Sequence, residues 1–233
     1  MPLEYARLSS SQVSRIALED RVLAVIPLGS IEQHCEGPLG LDSMVAETLA
    51  FRSCSLLEER GLGRCVILPT LYYGYSPEWS RVRGTISLPL DTYQSILEAI
   101  VEGLAKAGFR RVVFLNGHGG NSSVVEAVMR GVASRFEGLV LALVNYWELL
   151  DIKLDHAGPV EESIASSLGV AASLGDCREV GYMSRPRVTT QPPGEPSRIK
   201  FGGITAPRVE EVVEAVVRAL EKVLLADPSS HSI

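Results

Sequence analysis

Apolar residues alternate along this chain between short unbroken runs and stretches of helical period. The runs fall at residues 21–28 (with Val22-Leu23-Ala24-Val25-Ile26), 65–68 ahead of Pro69, 111–115 and 139–144. Unbroken apolar runs bounded by turn residues predict strands covered on both faces. The helical stretches are 42–60, closed by Gly61; 91–108, with Asp91 as its expected cap and Ile96, Ile100 and Leu104 every four residues; 122–136; 161–174; and 209–226. Repeated strand–helix order predicts an α/β protein, a three-layer α/β/α arrangement with a mostly parallel central sheet. It is expected to form a single domain over 1–226, with 227–233 a disordered tail that removes His231 from any site. Residues 181–207, rich in Pro, Gly and Arg, are too long for an ordinary connection. They read either as a lid or subunit-contact arm or as a passive surface excursion.

Composition narrows the function. A net charge of −6 argues against phosphate-backbone binding, so no nucleic-acid partner is expected. No apolar stretch is long enough for a membrane span, and Met1-Pro2-Leu3-Glu4-Tyr5 does not open a secretory signal, which predicts a cytoplasmic protein. Eighteen arginines against four lysines, and only three asparagines, suggest a thermophile, although base composition also favours arginine. Cys35, Cys54, Cys65 and Cys177 lack C-x-x-C spacing and read as buried free thiols, with a Cys54–Cys65 disulfide the alternative in a thermophile.

Three of the four histidines lie in short segments with carboxylates and glycines: Ser30-Ile31-Glu32-Gln33-His34 running on to Asp42, Asn116-Gly117-His118-Gly119-Gly120-Asn121, and Asp155-His156-Ala157-Gly158 running on to Glu161. Imidazole with carboxylate suits zinc, iron or manganese, and the chain reads as a metallohydrolase. Each segment follows a predicted strand, and ligands of open parallel sheets collect outside the strands' carboxyl ends. Glu32 and His34, two apart, point to one side of an extended segment. Gly117, Gly119 and Gly120 allow close approach, and Asn121 is placed to cap the helix from Ser122.

Those motifs, with Gly29, Asp42-Ser43 and a weaker Gly-Tyr-Ser-Pro-Glu and Gly-Thr-Ile-Ser-Leu match within 74–88, closely resemble the signatures of the creatininase family over about 25 to 162. The family includes creatinine amidohydrolases, an archaeal formamidopyrimidine-nucleotide deformylase and a peptidase that matures mycofactocin. The resemblance implies two divalent metal ions (Zn, Fe or Mn). Glu32 and His118 would hold one, His34 the other, Asp42 would bridge them, and Glu161 would complete the second. It also implies a metal-dependent hydrolase acting on C–N bonds other than peptide bonds. A dimetal-activated water would attack an amide or formamide, His156 would serve in proton transfer or oxyanion stabilisation, and Asp155 or a water would handle the leaving nitrogen. A homo-oligomer, usually a hexamer, is implied as well.

Departures bear on the substrate. The loop from His34 to Asp42 is one residue shorter than the family's and lacks its second histidine, which puts Cys35 beside a ligand. Pro159 replaces a glutamate, and Trp79 follows Glu78 where a histidine is frequent. Arg81 and Arg83 stand where relatives tend to carry apolar residues; over the metals they would suit an anionic small-molecule substrate such as a formamidopyrimidine nucleotide. Substrate contacts are therefore expected from Glu78, Trp79, Arg81, Arg83, Gly119, Gly120 and Asn121. The alternatives are a peptidase trimming a small C-terminal fragment and a catalytically silent metal-binding scaffold.

Overall fold

The structure is a computed structural model and describes residues 1–150, 155–171, 173–175 and 207–227. Five parallel strands, β1 (Leu3–Glu4), β2 (Val22–Leu28), β3 (Arg64–Ile67), β4 (Arg111–Asn116) and β5 (Val140–Asn145), lie side by side in the order β1-β3-β2-β4-β5. Six helices accompany them among the described residues: α1 (Ser10–Ile16), α2 (Leu41–Glu59), α3 (Leu90–Ala107), α4 (Ser122–Ala133), α5 (Pro159–Ser167) and α6 (Val209–Leu225).

The unbroken apolar run of β2 is what a central strand needs, because both faces are covered. Leu23 and Val25 pack with α2, α5 and α6 on one face. Ala24, Ile26 and Leu28 pack with α1, α3 and α4 on the other. This is the three-layer α/β/α arrangement. Pro27 sits inside β2, where a missing N–H would normally break a ladder. Val25 and Pro27 direct their carbonyls to the β3 side, to Leu68 and Leu71, and regular pairing with β3 has ended at Val25. The absent donor thus falls where β3 has peeled away.

Several boundaries differ from the sequence expectations. α3 begins at Leu90, and Asp91 is no cap: its Oδ1 accepts the Thr92 N–H at 2.7 Å, within the first turn. The buried stripe of α3 is Tyr93, Leu97, Val101 and Leu104, with Ile96 and Ile100 half-buried at its border. α5 runs over Pro159–Ser167, not 161–174, with Pro159 in the first turn where its missing N–H costs nothing. Cys54 and Cys65 are free and buried, but Cys35 is disulfide-bonded, so its sulfur is not a thiolate ligand. Among the described residues no helix is long and apolar enough to cross a membrane. Cys177, the 181–207 segment and the tail after Asp227 lie outside the described residues.

The chain leaves β2 to pair β3 on one side and returns through α3 to pair β4 on the other. The carboxyl ends of β2 and β4 therefore flank a reversal of strand order, the place where open α/β sheets leave a crevice.

Candidate metal centre

The loop after β2 folds back on itself: Glu32 N–H reaches Leu39 O at 2.9 Å and Gly37 N–H reaches His34 O at 2.8 Å. That return places Asp42, in the first turn of α2, beside Glu32 and His34. The Ser43 hydroxyl ties the helix start to Ser30 O at 3.2 Å. Glycine is required where α2 meets the strand ends. A Cβ on Gly29 would run into Ser43, and one on Gly117 would run into the Asp42 carbonyl oxygen. Asn116 shapes the loop after β4, accepting His118 N–H at 3.1 Å and donating to His118 O at 2.8 Å and to Asn145 Oδ1 at 2.9 Å.

Glu32, His34, Asp42, His118 and Glu161 are all buried and converge. Two triads form, Glu32–Asp42–His118 and His34–Asp42–Glu161, each with its ligand atoms within 4.8 Å of one another, and Asp42 belongs to both. Its Oδ1 lies 3.1 Å from His34 Nε2 and its Oδ2 lies 3.0 Å from His118 Nδ1. Glu32 Oε1 is 3.2 Å from His118 Nδ1, and Glu161 Oε1 is 3.9 Å from His34 Nε2. A third overlapping group joins Glu32 and His34 to His156.

Tautomers follow from the partners, since a carbonyl can only accept. His34 Nδ1 faces Glu32 O at 3.1 Å and His118 Nε2 faces Tyr75 O at 3.1 Å, so those nitrogens carry hydrogen. The other nitrogen of each ring is aimed at the carboxylates, the arrangement that orients metal-binding histidines. His156 Nε2 has both an acceptor, Gln33 O at 2.9 Å, and a donor, the Gln33 amide nitrogen at 2.8 Å, and this ring is not locked in one tautomer.

Charge is held by protons in this pocket. Burial alone would strip His34 of its proton, but Asp42, with Glu161 and Glu32, outweighs it and lifts the pKa from 6.5 to about 9. The same contest at His118, burial against Glu32 and Asp42, ends well above the ordinary value. Asp42 stays well below the usual carboxylate range despite burial, because His34 and His118 face it. Burial and the neighbouring Asp42 push Glu161 up to about 8. His156 goes the other way, lowered to about 3 by burial and then by His34.

The donor set suits a cation on grounds internal to the pocket. Three buried carboxylates face one another, and Glu32 Oε2 is buried with no hydrogen-bond partner. An unpartnered buried carboxylate oxygen is costly unless a cation or proton satisfies it. Oxygen and imidazole donors are those zinc and manganese accept.

Other expected site residues fall differently. Trp79 is 5% exposed and stacks on His156, ring centroids 4.3 Å apart and planes at 22°, so it covers one face of that ring. Asn121 is buried and provides no side-chain cap for α4; it bonds Gly29 O and Tyr75 N–H, both at 3.0 Å, and braces the loops. Gly120 packs against His118 and Tyr75 O, whereas Gly119 faces open space. Asp155, expected to handle a proton, spends both oxygens on backbone N–H groups, those of Val160 at 3.2 Å and Glu161 at 3.1 Å. Glu78 is half-buried; Arg81 and Arg83 are exposed, and neither joins the buried cluster.

Three supporting residues were given no role from the sequence alone. Ser30 donates to Asp42 Oδ2 at 2.8 Å, the Ser76 hydroxyl lies 3.1 Å from His118 Nε2, and Gln33 grips His156. Ser30 and Gln33 lie in the first histidine motif and Ser76 in the Gly-Tyr-Ser-Pro-Glu run; serines and glutamines otherwise look like surface.

The creatininase family model, described as creatinine amidohydrolase, matches residues 6–170. The mycofactocin precursor peptide peptidase of Mycobacterium tuberculosis is 38% identical over 114 residues, 46% of this chain and 43% of that protein. The creatinine amidohydrolase of Pseudomonas putida is 29% identical over 148 residues, 59% of this chain and 54% of that protein. The chain thus spans about half the length of these relatives. A candidate creatinine amidohydrolase from Bacteroides fragilis superposes with a TM-score of 0.70 at 22% identity, covering 97% of each chain. A Zn–Zn form of a creatininase mutant superposes at 0.67 with 20% identity, covering 96% and 97%. A manganese creatininase superposes at 0.63, also with 20% identity, covering 96% of each chain. At these identities the structural likeness is one of fold.

Proposed function

The chain belongs to the creatininase family, and from that premise we infer that it is a dimetal amidohydrolase acting on a C–N bond outside a peptide, with formamide deformylation the favoured subtype. One observation carries the reading: two buried carboxylate–histidine triads share the two oxygens of Asp42. Glu32 and His118 would hold one cation, His34 and Glu161 the other, with Asp42 between them. When bound, such a pair of divalent ions supplies Lewis acidity toward a carbonyl oxygen and acidifies a water. The relatives in zinc and manganese forms make either metal reasonable here.

The chain's own groups do the rest. The Ser30 hydroxyl and the Tyr75 carbonyl fix Asp42 and His118 in the orientation a ligand needs. Neutral His156, gripped by Gln33 and shielded by Trp79, can present an N–H to a developing oxyanion or exchange a proton with the leaving nitrogen. The neutral state favours the hydrogen-bonding role. The peptidase reading has its own support in the 38% identity to the mycofactocin peptidase.

The deciding experiment loads metal-free protein with Zn²⁺ or Mn²⁺ and follows formate, ammonia and new peptide amino termini in parallel, with Glu32→Gln as the inactive control. Formate release that depends on metal and on Glu32 is expected. Release of amino termini alone assigns the peptidase, and bound metal without turnover assigns a silent scaffold.

An anionic substrate is favoured by the loop that carries Trp79. That loop is pinned at its far end, Ile86 N–H to Ile31 O at 2.8 Å and Gln33 N–H to Thr85 Oγ1 at 3.1 Å, and closed at its near end by Ser76 N–H to Ser87 Oγ at 2.9 Å. It holds Arg81 and Arg83 exposed at its turn, in a chain of net charge −6. Replacing both by alanine is expected to raise KM for a phosphorylated formamide about tenfold or more, with kcat little changed. An unchanged KM removes the anion from the substrate description.

A further inference from the structure

We propose that Asp155 is the positioning residue of the second cation position, setting the separation of His156 and Glu161, and that it carries no proton itself. This rests on the metal-dependent reading of the site.

The start of α5 leaves no loose donor. Pro159 has no N–H, Val160 and Glu161 donate to Asp155 Oδ2 and Oδ1, and Glu162 N–H already finds Gly158 O at 2.9 Å. One carboxylate therefore closes the loop 155–161, and both groups that matter hang from it. His156 is the residue next to Asp155, and Glu161 lends its own amide to the closure. Gly158 has no room for a side chain, because a Cβ would run into the Asp155 carboxylate. Ala157 sits at φ 49, a region that costs an L residue about 1 kcal/mol or more. That turn aims the Ala157 N–H at Glu161 Oε2, 2.6 Å away. With Oε2 so held, Oε1 is the oxygen left toward His34 Nε2. A proton carrier needs an oxygen free to meet substrate, and both Asp155 oxygens are bound to backbone.

The test titrates metal-free protein with Zn²⁺ alone, and separately Mn²⁺ alone, by calorimetry, alongside turnover. Wild type is expected to take up about two ions. Asp155→Ala should keep the Glu32–Asp42–His118 position and weaken the other about 10- to 100-fold. Asp155→Asn keeps one acceptor oxygen but sets an NH2 against the other backbone N–H, so it should weaken the second position less than the alanine variant does, with turnover following the metal bound. The proposal is overturned if Asp155→Ala binds both ions as wild type does, or if Asp155→Asn is fully loaded yet inactive, which would make Asp155 a proton carrier. Should the alanine variant fail to fold, the asparagine variant decides on the same criterion. Wild type that binds no metal sinks the metal reading itself, and this inference with it.

Discussion

Asp42→Ala is expected to empty both cation positions together and to take turnover with them. Every other donor of the two triads serves one position: Glu32 and His118 belong to the first, His34 and Glu161 to the second. Asp42 alone divides its oxygens, Oδ1 toward His34 and Oδ2 toward His118. Its removal leaves each position two of its three donors and strands the Ser30 hydroxyl that now bonds Oδ2. A loss on the order of 4 kcal/mol at each position corresponds to about a thousandfold in affinity. Elemental analysis after dialysis should find almost no metal in Asp42→Ala and about one ion in Glu161→Ala, against about two in wild type. Asp42→Asn, which keeps the shape, separates lost ligation from lost folding. Two ions held tightly by Asp42→Ala would end the shared-carboxylate account.

The sequence made that site legible because its donors lie in short loops directly after strands that are hard to misread. The run Val22 to Ile26 is apolar at every position, so β2 had to be covered on both faces, and whatever follows it had to lie at the sheet edge. The same logic placed His118 after β4. What escaped was information carried by partners and not by residue type. Asp155, Asn121 and Asp91 are all acceptors near helix starts. Sequence made a proton handler of the first and caps of the other two, whereas the structure bonds Asp155 to the first turn of α5 and sends Asn121 to neighbouring loops. α3 shows a second limit. With Ile96, Leu97, Ile100 and Val101 all apolar, its stripe is wide, and only packing chooses Leu97 and Val101 as its centre. β1 and α1 escaped because a two-residue strand and a seven-residue helix are too short to establish a period.

The departures from the family pattern look different once their geometry is known. Pro159, which takes the place of a glutamate, occupies a position where a helix has no use for an N–H, and it suits the closure made by Asp155. Trp79 packs over His156 and helps bury it. The shortened loop still brings Asp42 onto His34 and His118. These changes preserve the five-residue centre and alter its rim, which is where a change of substrate would be made.

The second large effect is a pH dependence whose sign depends on whether metal is present. Without metal, His34 titrates near 9 in the folded chain against 6.5 in the unfolded one. Its raised pKa stabilises the fold fully below about pH 6.5, and that contribution, on the order of 3 kcal/mol, is lost as pH rises through 9. Glu161, raised from 4.5 to about 8, acts in the same direction: its folded form holds a proton that the unfolded form has given up, so its contribution is full only below about pH 4.5 and is lost as pH rises through 8. His156, lowered to about 3, works oppositely and withdraws stability as pH falls from 6.5 toward 3. Metal-free protein should therefore be most stable between about pH 4.5 and 6.5 and lose Tm steeply from about pH 6.5 to 9. Cations held by His34, His118 and Glu161 would compete with those same protons, so uptake at pH 7 should release about two protons or more and affinity should rise with pH. Melting curves in chelator and in excess Zn²⁺ at pH 6, 7.5 and 9 would read both effects. The gap between the two curves should widen toward pH 9, and a gap that stays constant would mean that these histidines and this glutamate do not hold the metal.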